Sequence, residues 1–137
     1  MDEIASVLDK IIKLQSISEQ AIEKILGISL RLQANSNPYW NFYEAVCPSG
    51  PFVQVEYREP GSGATSQARG VILTVRPELQ VTEAEVQSWY GPGTIKQIIP
   101  EAQPEGLIVY RYEREGQELF LAYHGQSYRL NTVTLWR

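Results

Sequence analysis

The sequence predicts a single α+β domain over residues 1–137, with amino-terminal helical segments packed on a mainly antiparallel sheet and a short helix before a three-stranded carboxy-terminal meander. Two observations support this class. Apolar residues near the amino terminus recur every three or four positions, whereas from residue 28 onward apolar and polar residues mostly alternate. Helices followed by consecutive strands are typical of α+β folds, and 137 residues suit one hydrophobic core.

Two amino-terminal segments carry the periodicity of amphipathic helices. They span residues 4–14 and 19–26, where apolar side chains fall on one side of each helix. Ser16 or Ser18 can cap the second segment, and Gly27 can end it. Since no strong helix breaker lies at Gln15, residues 3–26 could equally form one continuous helix.

After Gly27 the hydrophobic period changes to two, which predicts strands. Residues 28–33 would form the first strand, with Ile28, Leu30 and Leu32 on one buried face. Residues 39–46 predict an aromatic second strand. Residues 52–58 and 70–76 predict a hairpin whose tip, at 59–69, is rich in glycine and serine.

The carboxy-terminal half predicts a short helix and then a meander. Thr82 and Glu85 have the spacing of a capping box, so we expect a helix whose core side carries Val86, Trp89 and Tyr90. Residues 95–105 contain two prolines and predict a loop or a short edge strand. Residues 107–112, 118–124 and 127–136 are separated by turn-forming residues and predict three antiparallel strands.

Composition narrows the classes of partner and compartment. Sixteen acidic and twelve basic side chains give a net charge of −4, which opposes binding to nucleic acid or to an anionic membrane surface. No apolar run approaches the ~20 residues that span a bilayer, and the acidic start is unlike a secretory signal. With one cysteine and no possible internal disulfide, we expect a cytoplasmic protein.

Few residues could carry chemistry. Cys47 and His124 are the one cysteine and the one histidine, so they form a nucleophile and base only if the fold brings them together. Both have simpler explanations, as a small apolar residue and as an exposed turn residue. Too few cysteines and histidines are present for a structural zinc site. The glycines at residues 61–63 and 91–93 do not have the spacing of phosphate-binding loops. We therefore expect no catalytic, cofactor or metal site, and no enzyme.

Residues 39–43 form an aromatic group that suits either a core or an interface. On a strand, Trp40 and Phe42 share one face, while Tyr39 and Tyr43 lie toward the other face or the strand end. One set is expected to pack under the amino-terminal helices. Exposed tyrosines would be typical interface anchors, and the same alternatives apply to Tyr112 and its neighbours.

The overall organisation resembles that of small bacterial immunity proteins, which neutralise toxins. The resemblance lies in the helical start, the segments at residues 25–30 and 37–43, and the closing antiparallel strands. It implies a non-enzymatic inhibitor that occludes the active site of a secreted toxin or effector. We expect six contact residues in such a complex: Tyr39, Tyr43, Tyr112, Glu113, Glu115 and Glu118.

Two other functions remain open from the sequence. The first is a small-molecule-binding or cryptic enzyme domain with a pocket between the sheet and the helices. The second is a structural or adaptor subunit that forms a homodimer through the amphipathic helix at residues 4–14.

Overall fold

The computed structural model describes residues 2–102 and 105–137, and it confirms the α+β class. Within these residues the α-helices are α1 (Asp2–Ile12), α2 (Glu19–Leu26) and α3 (Glu83–Tyr90), and a short 3-10 helix spans Pro77–Leu79. The strands are β1 (Arg31–Leu32), β2 (Trp40–Val46), β3 (Phe52–Pro60), β4 (Gly70–Val75), β5 (Thr94–Ile99), β6 (Leu107–Arg114), β7 (Gln117–His124) and β8 (Leu130–Trp136). All eight strands join one antiparallel sheet in the order β1-β2-β3-β4-β8-β7-β6-β5.

Local capping chemistry divides the amino-terminal segment into two helices. The Ser18 hydroxyl accepts a hydrogen bond from the Ala21 N–H at 3.1 Å, which satisfies one of the free donors at the start of α2. Gly27 ends α2 in a left-handed conformation, with φ of 67°. The same chemistry starts α3, where the Thr82 hydroxyl accepts from the Glu85 N–H.

The prediction for residues 28–33 is wrong in both extent and burial. Only Arg31 and Leu32 form a strand, and Leu32 is 59% exposed. The reason is a competing hydrogen bond, because the Leu30 N–H donates to Oε2 of Glu23 on α2 at 2.8 Å. This bond turns the chain toward the helices, where Leu30 is buried, so β1 is left as a two-residue strand at the sheet edge.

The other predicted strands are confirmed. The hairpin is β3–β4, the meander is β6–β7–β8, and the segment after α3 is the edge strand β5 rather than a loop. Residues 103 and 104, which belong to that predicted segment, lie outside the described residues. In the part of the chain that the structure describes, no helix is both long enough and apolar enough to cross a membrane.

One hydrophobic core lies between the helices and one face of the sheet. The apolar side of α1 contributes Ile4, Leu8, Ile11 and Ile12, and all four are buried. The apolar face of α1 therefore packs inside the domain. Little of it is left to contact a second copy of the chain, as the homodimer hypothesis for residues 4–14 requires.

A buried glutamine joins α1 to the sheet. Gln117 at the start of β7 is 1% exposed, and its Nε2 group donates to the carbonyl oxygens of Ile11 at 2.7 Å and Ile12 at 3.1 Å. These carbonyls lie at the end of α1, where backbone donors run out. The Ile11 carbonyl also accepts from the Leu14 N–H at 3.1 Å, whereas the Ile12 carbonyl accepts from Gln117. One side chain thus satisfies two buried acceptors and fixes where α1 ends on the sheet.

Replacing this glutamine should destabilise the domain. We expect Gln117→Leu to lower the free energy of unfolding by about 2 kcal/mol, because the buried Ile12 carbonyl loses its donor and the Ile11 carbonyl keeps only the bond from the Leu14 N–H. Urea unfolding followed by circular dichroism measures the change. Gln20→Leu, the same substitution at an exposed position on α2, is the control and should change stability by less than about 0.5 kcal/mol. Equal effects of the two variants would contradict the bridging role.

Candidate functional site

The sheet has one face in the core and one face that no described helix covers. Side chains alternate along each strand, so the buried positions Val55, Leu73, Leu121, Val133 and Leu135 define the inner face. The opposite side chains form the outer face. Their apolar members are not part of the core cluster, and Gly70 and Ala122 are the buried residues among those that pair across this face from β2 to β8.

Strand register arranges the outer face into three rows that run across the sheet. The first row is Phe42, Arg58, Gly70, Trp136, Glu118 and Glu113. The second row is Arg31, Glu44, Glu56, Ile72, Thr134, Phe120, Arg111 and Thr94. The third row is Val46, Gln54, Thr74, Thr132, Ala122, Val109 and Gln97.

The middle of the outer face carries no charge. We call this region the charge-free centre, and its members are Gly70, Ile72, Thr74, Phe120, Ala122, Thr132, Thr134 and Trp136. Charged side chains of both signs flank it on β2 and β3 and on β6 and β7. A charge-depleted centre with aromatic residues and a polar rim is the usual anatomy of a protein–protein interface.

Aromatic contacts hold one end of the outer face in place. The Trp136 ring covers Gly70 so closely that a Cβ at residue 70 would lie 2.6 Å from it, so only glycine fits there. The same ring contacts Trp40 edge to face, with centroids 5.9 Å apart. The Arg58 guanidinium lies over the Phe42 ring at 5.2 Å. These side chains therefore present a preformed surface.

Ion pairs order the rim on the other side. Arg111 contacts Glu113 at 2.6 Å and Glu118 at 2.9 Å, and these hydrogen bonds raise the pKa of its guanidinium. Both glutamates were expected contact residues, and the structure places both on the outer face. Glu115 lies in the turn between β6 and β7 and is exposed, but it is not part of a row.

The three tyrosines expected to contact a partner lie in different environments. Tyr39 is 62% exposed and directly precedes β2. Tyr43 lies on the inner face and packs against the Tyr57 ring, with centroids 5.7 Å apart. Tyr112 is 5% exposed, and its hydroxyl donates to the Gly91 carbonyl at 2.9 Å. Burial also raises the pKa of Tyr112. Tyr112 therefore belongs to the core and is withdrawn as a direct contact.

Sequence reasoning missed the charge-free centre itself. Its residues lie on β4, β7 and β8, and only the non-local pairing of β4 with β8 brings them together. The available signal was the outward positions of these strands, which hold threonine, isoleucine and phenylalanine where a solvated face would carry charge.

The structure separates the two residues that could have formed a nucleophilic pair. Cys47 follows β2 and His124 ends β7, and these strands are four positions apart in the sheet order. At ~4.8 Å between neighbouring strands, β2 and β7 lie about 19 Å apart across the sheet. Among the described residues there is also no group of three side chains that could hold a metal ion.

A cleft lies at the carboxy-terminal end of β2, between the amino-terminal helices and the sheet edge. We call it the edge cleft, and its volume is about 810 Å³. Its walls come from α1, from the end of α2 with residues 27–29, and from residues 44–52. Arg76 holds the 47–52 turn in place by donating to the carbonyl oxygens of Cys47 and Gly50, each at 2.8 Å.

Comparison with protein families, curated proteins and solved structures finds no match to this chain.

The environment of Cys47 predicts an unreactive thiol. Burial raises the pKa of Cys47, and the Arg76 guanidinium only partly opposes that shift, so less thiolate is present near neutral pH than for a free cysteine. We expect labelling by a thiol reagent at pH 7 to be at least about tenfold slower in the folded chain than in the chain unfolded in urea. Equal labelling rates would show that Cys47 is accessible and unshifted.

Proposed function

We propose that this chain is a non-enzymatic protein-binding domain whose partner packs against the outer face of the sheet. The observation that carries the proposal is the charge-free centre, which contains Phe120 and Trp136 on a face that no described helix covers. A large face of this kind on a folded domain usually marks an interaction site.

The outer face is large enough for a specific complex. Seven strands of six to nine residues each contribute to it. With strands ~4.8 Å apart and ~3.3 Å per residue, the face measures about 34 by 23 Å, or about 800 Å². A standard interface buries about 800 Å² per partner.

The binding energy would come from the aromatic side chains, and the rim would orient the partner. Trp40, Phe42, Phe120 and Trp136 are half-buried, so each can still bury apolar surface against another protein. Arg58 and the Arg111 cluster with its glutamates would set the register by charge complementarity.

The specific form that we propose is an immunity protein that occludes the active site of a toxin or effector. The organisation of the sequence supports this form, and a rigid sheet suits steric occlusion because it needs little reordering on binding. The net charge of −4 and the glutamates beside Arg111 favour a partner whose active site is basic.

A matched pair of substitutions on one row tests the binding face. Thr134→Arg places a charge in the charge-free centre, whereas Thr94→Arg places the same charge at the end of the same row on β5. We expect Thr134→Arg to weaken a stoichiometric complex at least about tenfold, because the arginine would be buried without a partner, and Thr94→Arg to have little effect. Titration by isothermal calorimetry measures both, after capture of the partner from extracts of the source organism.

Thermal unfolding provides the control, since both variants should keep the stability of the native chain. A partner that binds both variants equally would place the interface elsewhere. The immunity form requires in addition that co-expression of the native chain, but not of Thr134→Arg, protects cells from the partner. A partner that is harmless when expressed alone would remove the immunity form and leave the binding face standing.

A further inference from the structure

The sheet edge at the end of β2 is open. Arg31 pairs with Glu44, and beyond that pair the chain before β1 leaves the sheet toward Glu23 of α2. The next position on β2 that faces this edge is Val46, which is 81% exposed.

The alternation of hydrogen bonds along β2 shows toward which neighbour the backbone N–H and C=O groups of Val46 point. The Gln33 N–H donates to the Phe42 carbonyl, so Phe42, Glu44 and Val46 direct their N–H and C=O groups toward the edge. On the other side of β2, the Cys47 N–H donates to the Val53 carbonyl, so β3 pairs with the alternate positions. Among the described residues, Val46 has no strand opposite it at this edge.

The open edge borders the edge cleft. Val46 and Ala45 line the cleft together with Ile25, Ile28 and Ser29. The cleft therefore offers an apolar wall and an unpaired donor and acceptor, all within a volume of about 810 Å³. An extended backbone satisfies both groups at once, and its alternate side chains can reach the wall.

The charges of the cleft also select its occupant. Glu3 and Glu44 line it against one basic side chain, Arg31. The carboxy-terminal end of α2 adds partial negative charge from its carbonyl groups. A segment that carries a lysine or arginine next to apolar residues complements this lining.

We propose that the edge cleft binds an extended apolar and basic segment of a partner polypeptide, which adds to the sheet as a short strand opposite Val46. This site uses the backbone of Val46 at the sheet edge and not the side chains of the outer face, and it does not rest on the function proposed above. The added strand would continue the line of β1 past its two residues.

A single backbone substitution tests the pairing. Val46→Pro removes the N–H at the open edge, and the bonds between β2 and β3 remain because Val46 does not supply them. Val46→Thr is the matched control, since it keeps the N–H and the β-branched shape. The probes are linear peptides selected from a random phage-displayed library against the native chain. We expect Val46→Pro to weaken the selected peptides at least about tenfold and Val46→Thr to leave them nearly unchanged.

A second measurement decides the question if Val46→Pro unfolds. Each backbone nitrogen of a selected peptide is methylated in turn, which keeps every side chain. We expect binding to be lost when the methylated nitrogen is the one that donates to the Val46 carbonyl. Amide hydrogen exchange of Val46 should slow when the unmodified peptide binds. The proposal would be overturned by selected peptides that still bind after methylation at every position. It would also be overturned by a library that yields no peptide whose binding protects the Val46 amide from exchange, and a small molecule would then be the occupant to test.

Discussion

The pairing of β4 with β8 is the contact on which the rest of the structure depends. It runs from Gly70 opposite Trp136 to Thr74 opposite Thr132 and joins two antiparallel halves into one sheet. Its inward positions complete the core beneath the helices, while its outward positions create the charge-free centre. A single sheet with helices on one face must leave the other face in contact with water or with a partner.

The two proposed sites use different properties of this sheet. The outer face offers side chains, and the edge cleft offers a backbone that the short strand β1 leaves unpaired. Val46 connects them, because its side chain begins the third row while its backbone faces the cleft. A strand added there would extend the sheet at the margin of the outer face.

Local chemistry made much of the fold predictable. Ser18 and Thr82 start helices because their hydroxyls satisfy free backbone donors, and alternation located most strands. The failures arose from contacts between different secondary-structure elements, which periodicity does not show. The bond from Leu30 to Glu23 removed most of the first strand, and Tyr112 was drawn into the core beneath α3. The candidate site was predictable only in part, because its strands show uncharged outward positions in the sequence but come together only through the pairing of β4 with β8.

The most direct test of this account is solvent paramagnetic relaxation of side-chain methyl groups on the two faces of the sheet. In the free chain, Ile72 and Thr134 should be strongly relaxed by a soluble probe, and Leu73 and Val133 on the same strands should be protected. Addition of a stoichiometric partner should protect the methyl groups of Ile72 and Thr134 from relaxation by the probe. Protection of Ile72 and Thr134 already in the free chain, or their continued exposure in the complex, would contradict the assignment of the outer face as the binding surface.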